Sequence, residues 1–230
     1  MNLVDTGIEG LNEMLGGGIP EGSSVLVLGS YGAGKTTLGI HFAHRGAVKG
    51  ENVAYFTLEE RKESILAASS SYGLDFSPYL GGRIHLVNPD VLEFVEMLKN
   101  VENFKANLTE MMPKRVIIDS ISLLLLVADG DATKRNIIMN LSNALRDSGV
   151  TSLLLAESNL SVPYSSREGL AEFVSDGVIS LLNKYDDNTG TTNSIIRVLK
   201  MRLMNHDRKA RPYSIGPKGI VVLSKSELFQ

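Results

Sequence analysis

The sequence contains no cysteine. A chain without thiols cannot form a disulfide bond, use a cysteine nucleophile or hold a metal ion through thiolates. It also lacks the G-x-S-x-G motif of many serine hydrolases. The histidines at 41, 44, 85 and 206 do not follow a metal-ligand spacing, and His41 and His44 are interpreted as packing or surface residues. Disulfide-stabilised proteins, thiol enzymes and histidine metal sites are therefore not favoured.

An excess of positive charge and long apolar runs are also missing. Lysine and arginine total 23 against 26 aspartate and glutamate, giving a net charge of −3 and a pI of about 5.8. Such a chain has no overall basic field to attract nucleic acid or an anionic membrane. Asp5, Glu9 and Glu13 precede the first basic residue, Lys35, so no signal peptide is indicated. The most apolar run, 116–128, is too short to span a bilayer, and we expect a cytoplasmic protein without a membrane segment.

Alternating strand and helix patterns predict one α/β domain over residues 1–230, since a chain with 43% hydrophobic content can bury a full core. The apolar strand before Asp119 implies burial on both faces, which is typical of a parallel sheet flanked by helices. After Gly177 the helical patterns stop, and short segments between turns predict antiparallel strands that complete the sheet. The predicted strands are 25–28, 52–57, 84–88, 116–120, 150–156, 178–185, 194–201, 211–215 and 219–223. The predicted helices are 6–15, 64–72, 133–147 and 91–111, the last as one long helix or a helix pair, with one more from about residue 34.

The strongest local signal is a glycine-rich turn between an apolar strand and a helix. Residues 29–36 read GSYGAGKT and fit G-x-x-x-x-G-K-[ST], the phosphate-binding P-loop. This loop wraps a polyphosphate so closely that several backbone N–H groups point inward, and glycine reaches the required dihedral angles at least cost. Gly32, Ala33 and Gly34 are predicted to form the cradle, and the helix that follows adds its positive end. An ordinary glycine-rich turn is the alternative, but the flanking strand and helix favour the P-loop.

The next residues carry the charge and the metal-binding groups. Lys35 is predicted to reach the β- and γ-phosphates, Thr36 to offer its hydroxyl to Mg²⁺, and Thr37 to contact the nucleotide. Asp119 ends an apolar strand about eighty residues later, where the Walker B acid that holds Mg²⁺ is expected. The alternative is that Asp119 caps the turn that follows. ATP and Mg²⁺ are therefore the predicted cofactors.

Glu59 and Glu60 follow a strand that is predicted to lie next to the P-loop strand. A carboxylate at that position can orient or deprotonate the water that attacks the γ-phosphate. Alternatively, both acids begin the next helix, whose dipole favours negative charge there. The residues alone leave both interpretations open.

Lys200 and Arg202 stand two residues apart on one face of a predicted strand, within a local basic cluster. A solvated strand face explains such a cluster. The other interpretation is an arginine finger, which a neighbouring subunit often supplies in P-loop enzymes.

Six ordered segments, spread over nearly the whole chain, resemble the KaiC-like ATPases of the RecA/RadA superfamily. Together they are more specific than a P-loop alone. They are TGIEGL from Thr6, LGGGIP from Leu15 into the P-loop, FTLEE from Phe56, VIIDS from Val116, EFVSD from Glu172 and KMR from Lys200.

The resemblance implies a RecA-type core that forms a ring, usually a hexamer, with ATP bound between subunits. By this likeness Glu59 and Glu60 are the catalytic acids, and Lys200 and Arg202 reach the phosphates of the neighbouring subunit. Ser71 and His206 match positions that touch nucleotide in such proteins.

One departure from the family is informative. The autokinase half of the circadian clock protein carries an adjacent Ser-Thr pair where this chain has Glu172 and Phe173, so self-phosphorylation at that position is excluded. We therefore expect a slow, Mg²⁺-dependent ATPase that acts as a regulatory switch on an unknown protein partner. A DNA-engaged motor or recombinase and a P-loop kinase for a small molecule are the alternatives. The loop 158–169 offers only Arg167 and Tyr164 to DNA, and no basic lid insertion follows Asp119.

Overall fold

A computed structural model describes residues 1–159, 161–187 and 190–226. They form a nine-stranded sheet with strand order β11-β10-β9-β8-β3-β7-β6-β4-β5 and a separate antiparallel pair, β1 and β2. The strands are β1 (Leu3–Val4), β2 (Ile19–Pro20), β3 (Ser24–Gly29), β4 (Val53–Thr57), β5 (Ile84–Val87), β6 (Arg115–Asp119), β7 (Thr151–Glu157), β8 (Gly177–Asp186), β9 (Thr191–Met201), β10 (Arg211–Gly216) and β11 (Gly219–Val222).

The centre of the sheet is parallel and its last three strands are antiparallel, as predicted. Strands β3 to β8 pair in parallel, whereas β9, β10 and β11 pair antiparallel to their neighbours. All parallel strands therefore end at one edge of the sheet, the carboxyl edge, and begin at the opposite, amino edge. In open α/β sheets ligands bind outside the carboxyl edge.

Helices cover both faces of the sheet. Val25 and Val27 point to the core that contains α1 and α2, and Leu26 and Leu28 point to the core of α4, α6 and α7. This two-sided burial explains the apolar parallel strands. The helices are α1 (Glu9–Met14), α2 (Lys35–Val48), α3 (Lys62–Ser71), α4 (Val91–Lys99), α5 (Val101–Met111), α6 (Ile121–Val127), α7 (Asp131–Asp147) and α8 (Ala171–Val174).

Three local predictions differ from the structure. Helix α1 begins at Glu9 rather than Thr6, because the Thr6 hydroxyl is used by the N–H of Ile8 in a turn before the helix. Helix α6 was not predicted, since its run of apolar residues has no helical periodicity. The three glycines at 16–18 predict a fixed turn packed near the P-loop; the turn instead lies beside β1, where a Cβ on Gly18 would lie 2.5 Å from the carbonyl oxygen of Val4. Over the described ranges, no helix is both long and apolar enough to cross a membrane.

Candidate functional site

The P-loop joins β3 to α2 at the carboxyl edge. Gly34 has a φ of +87°, and a Cβ at this position would lie 2.5 Å from Cδ1 of Ile215. The left-handed backbone therefore favours glycine, and a side chain here would also have to displace the Ile215 methyl group. The Tyr213 hydroxyl donates to the carbonyl of Ala33 at 2.6 Å, so β10 supports the loop from behind.

Lys35 is held over the loop by its own backbone. Its Nζ donates to the carbonyls of Gly29 and Ser30, each at 3.0 Å. Burial lowers the pKa of this amine, while the carboxylates of Glu59, Glu157 and Asp119 act in the opposite direction. The loop thus carries one partly buried cation, and three carboxylates nearby favour its charged form.

Asp119 ends β6 and its side chain faces the P-loop. Its carboxylate accepts the Tyr55 hydroxyl at 2.8 Å and a hydrogen bond from Thr36. Burial and, to a smaller extent, the charges of Glu59 and Glu60 raise its pKa to about 6, although the two hydrogen bonds lower it. Helix α6 has Ser120 at its N-cap and no side-chain cap. The capping alternative for Asp119 is therefore wrong, and Asp119 lies beside Thr36.

The groups around Asp119 suit a magnesium ion. Mg²⁺ prefers hard oxygen ligands and is usually bound by one or two carboxylates together with substrate phosphates. A carboxylate beside a threonine hydroxyl at the P-loop offers this chemistry. Within the described ranges, no cluster of three or more histidines and acids forms a separate metal site.

Glu59 and Glu60 lie at the same edge, but the strand before them is not next to β3. Strands β7 and β6 separate β4 from the P-loop strand, so that prediction was wrong. The acids still lie at the site, because the charge of Glu59 raises the pKa of Lys35 and the charges of both acids raise the pKa of Asp119. The Ser120 hydroxyl donates to the Glu59 carboxylate. Helix α3 starts only at Lys62, so neither acid lies in its first turn.

Lys200 and Arg202 lie at the opposite edge of the sheet. Lys200 pairs with Val178 near the end of β9, and Arg202 lies just beyond the strand, where its N–H donates to the carbonyl of Asp176 at 2.9 Å. The two residues therefore do not share one strand face. Through Asp176, Arg202 lies at the level of Ser24, five residues or about 16 Å along β3 from Gly29. Lys200 lies at the level of Leu26, three residues or about 10 Å away, with its amine held by the carbonyls of Glu172 and Ser175. Neither cation reaches the P-loop of its own chain.

Ser71 and His206 also lie apart from the P-loop. Ser71 ends α3, and its hydroxyl donates to the carbonyl of Ala68 at 2.8 Å. His206 follows Arg202 in a segment that contacts α1, where the N–H of Asp207 donates to the carbonyl of Met14 at 2.8 Å. Both ring nitrogens of His206 are shielded from solvent and have no hydrogen-bond partner among the described residues. The structure thus gathers the P-loop with Glu59, Glu60 and Asp119, and leaves these four residues elsewhere.

Glu157 is a site residue that the sequence interpretation missed. It ends β7, pairs with Gly29 and acts on the charge of Lys35. The sequence signal that could have found Glu157 is the one used for Asp119, an acid at the end of an apolar strand. Beside it, a cavity of about 380 Å³ is lined by Ser30, Tyr31, Glu157, Ser158, Asn159 and Arg167.

His41 joins the P-loop helix to the last strands. The N–H of Ile220 donates to His41 Nε2 at 3.0 Å, and burial lowers the pKa of the ring to about 4. This agrees with a packing role for His41.

The pH dependence of stability is expected to report on His41. Because the pKa of His41 is lower in the folded protein than in the unfolded chain, its contribution to the free energy of unfolding is fully present above pH 6.5, the usual value. That contribution is lost as the pH falls through about 4. The loss should reach about 3 kcal/mol at most. Because Asp119 contributes with the opposite sign in the same range, urea unfolding between pH 4 and 7 should show the loss as a difference between the wild type and His41→Gln that changes with pH, whereas the control His85→Gln should keep the pH dependence of the wild type. An unchanged pH dependence in His41→Gln would assign the effect to another group.

Comparison with known proteins places this geometry in a family. The family model for the KaiC ATPase matches residues 4–227. A UPF0273 protein of Thermotoga maritima is 32% identical over 234 residues, covering 95% of both chains. The circadian clock oscillator protein KaiC of Prochlorococcus marinus is 31% identical over 232 residues, which are 94% of this chain but 45% of that protein. This chain therefore spans less than half of the clock protein.

A solved structure supports the same assignment. The KaiC-like protein of the hyperthermophilic archaeon Pyrococcus horikoshii superposes with a TM-score of 0.83 at 34% identity, covering 96% of this chain and 98% of that one. The sheet, with its parallel centre and antiparallel end, is the RecA-type α/β fold expected from the sequence. The chain has a P-loop with a strand-terminal acid beside it, and these matches cover nearly its full length. The chain therefore belongs to the KaiC ATPase family.

Proposed function

We propose that this protein hydrolyses ATP with Mg²⁺ at sites shared between neighbouring copies in a ring, and that the ATP state of the ring acts as a regulatory switch on a protein partner. The observation that carries this proposal is the division of the site residues between two edges of the sheet. The P-loop and its acids lie at the carboxyl edge, whereas Lys200 and Arg202 lie at the amino edge. One chain therefore holds two incomplete halves of a phosphoryl-transfer site.

The carboxyl-edge half supplies phosphate binding and water activation. Lys35 and the P-loop N–H groups bind the phosphates, and Thr36 and Asp119 would hold Mg²⁺. When bound, Mg²⁺ supplies charge that stabilises the transferring phosphoryl group. Glu59 and Glu60 orient the attacking water and accept its proton, since both carboxylates lie within the field of Lys35 or Asp119. We expect slow turnover, in keeping with a switch whose nucleotide state is the signal.

The amino-edge half is suited to a neighbouring site. The Arg202 side chain is 49% exposed and makes only a long 3.4 Å contact with Asp176, so it can turn outward at low cost. Contact between the amino-edge half of one copy and the carboxyl-edge half of the next is head-to-tail, and such contacts form a ring when the rotation between copies closes. Leu203 follows Arg202, and Phe173 follows Glu172, whose carbonyl accepts from Lys200; with exposed fractions of 83% and 78%, they offer apolar area for such a contact. A hexamer is the number that the family resemblance implies.

Assembly and hydrolysis are expected to rise together. Native mass spectrometry or light scattering should find larger assemblies with ATP and Mg²⁺ than without them, because nucleotide lies at the proposed contact. The ATPase rate per chain should rise with protein concentration and level off when assembly is complete.

Arg146→Ala is a suitable control for this experiment. Arg146 lies in the last turn of α7, is exposed, and its side chain has no hydrogen bond or ion pair among the described residues. It should assemble and hydrolyse ATP as the wild type does. Full hydrolysis by a chain that stays monomeric at every concentration would contradict the shared site.

A further inference from the structure

Glu172 binds a hairpin next to the chain's own P-loop. Its carboxylate accepts hydrogen bonds from the Ser165 hydroxyl at 3.1 Å, from the Ser166 hydroxyl at 2.8 Å and from the Ser166 N–H. Ser166 is only 2% exposed. Hydrogen bonds to a carboxylate are stronger than those between neutral groups, and burial makes them costly to lose. The Glu172 carboxylate thus anchors this residue to Ser165 and Ser166, which we call the serine pair.

The serine pair is in turn fixed to the P-loop strand. Ser166 pairs antiparallel with Ser158, and the Ser158 N–H donates to the carbonyl of Gly29 at 3.2 Å. The Arg167 N–H donates to the carbonyl of Glu157, also at 3.2 Å. The serine pair therefore has a defined position relative to the first residue of the P-loop.

The backbone of the same glutamate holds Lys200. The Lys200 Nζ donates to the carbonyl of Glu172 at 3.0 Å and to that of Ser175 at 2.6 Å. Helix α8, which carries Glu172, is a single turn of four residues and has little stability of its own. The anchored Glu172 side chain is one of the contacts that keep the carbonyl groups of α8 in place; another is the Ser142 hydroxyl, which donates to the carbonyl of Val174 at 3.4 Å.

We propose that Glu172 is a positioning residue for Lys200, which it holds in the place from which the amine reaches the phosphates bound by the neighbouring subunit. This inference rests on the proposed shared site. Glu172 touches neither the nucleotide site of its own chain nor the reacting atoms; it acts through the α8 carbonyl groups. Removing its carboxylate releases α8, and the effect should appear at the site of the next subunit rather than at its own.

Mixed rings can show in which subunit Glu172 acts. A Lys35→Ala subunit lacks a working P-loop but still supplies Lys200 and Arg202, and an Arg202→Ala subunit supplies only the P-loop half. A mixture of the two should hydrolyse ATP. Adding Glu172→Gln to the Lys35→Ala subunit should lower that rate at least about tenfold, because a displaced group loses much of its effect. Adding the same change to the Arg202→Ala subunit should alter it less than about twofold.

Each outcome of this experiment is decisive. A loss that is equal in both placements, or larger in the P-loop subunit, overturns the positioning role and leaves the shared site intact. A starting mixture that assembles but stays inactive overturns the shared site as well. Glu168→Gln is the matched control, because Glu168 is a nearby acid with no hydrogen bond or ion pair among the described residues, and it should change neither mixture. If Glu172→Gln fails to fold, Ser166→Ala removes one of the same hydrogen bonds and should show the same asymmetry.

Discussion

A mixture of Lys35→Ala and Arg202→Ala subunits is expected to recover about a quarter of the wild-type ATPase rate. Alone, each variant should lose activity by about a thousandfold or more, the magnitude known for removing an arginine finger. In a random ring with equal amounts of each, a site works when its P-loop comes from an Arg202→Ala subunit and its cation from a Lys35→Ala subunit. Each condition holds for half of the subunits, so about one site in four is complete.

The measurement is the steady-state rate across mixing ratios, with assembly checked for every mixture. The rate should peak near equal amounts and fall towards zero at both ends. Arg208→Ala is the matched control, because Arg208 is an exposed arginine of the same basic segment that lies further from the end of β9. It should remain active alone and give no peak when mixed with wild type. Inactive mixtures that still form rings would show that Arg202 does not act across the interface.

Asp119→Asn is expected to lower ATP hydrolysis by about a hundredfold or more and to weaken Mg²⁺ binding. Asparagine keeps the shape of the side chain and can still accept from Tyr55, but it lacks the charge that holds a divalent cation. Mg²⁺ titrations at fixed ATP should therefore show a raised half-saturation concentration. Asp129→Asn, an exposed acid beyond α6, is the matched control and should behave as wild type. A wild-type Mg²⁺ titration for Asp119→Asn would remove Asp119 from the site.

The pH dependence of Mg²⁺ binding should follow the same carboxyl group. Its pKa in the metal-free protein is raised from 3.8 to about 6, so below pH 6 the proton competes with the metal and the affinity should fall about tenfold per pH unit. The free energy of unfolding of the metal-free protein should change with pH in the opposite direction to the Mg²⁺ affinity. A raised carboxyl pKa contributes stability that is present below 3.8 and lost as the pH rises through about 6. Asp119→Asn should remove both dependences.

Much of the fold followed from the sequence because its signals are local. Strand β6 was recognised from an unbroken apolar run, and α7 from apolar residues at three- and four-residue spacing. Helix α6 was missed because it is apolar all round, and such a segment has no period to detect. The single domain over residues 1–230 and the roles of Ser71 and His206 at nucleotide stay predictions.

The sequence by itself determined the P-loop, the identity of its lysine and threonine, and the presence of an acid at the end of an apolar strand. Those features are recognised from residues that are adjacent in the sequence, so they do not depend on how distant segments pack. Only the tertiary structure decided that β7 and β6 separate β4 from the P-loop strand, that Glu157 joins the site, and that Lys200 and Arg202 lie at the far edge. Strand order is fixed by packing between segments distant in the chain, and β9 returns antiparallel to β8, so it carries its cations away from the P-loop of its own chain.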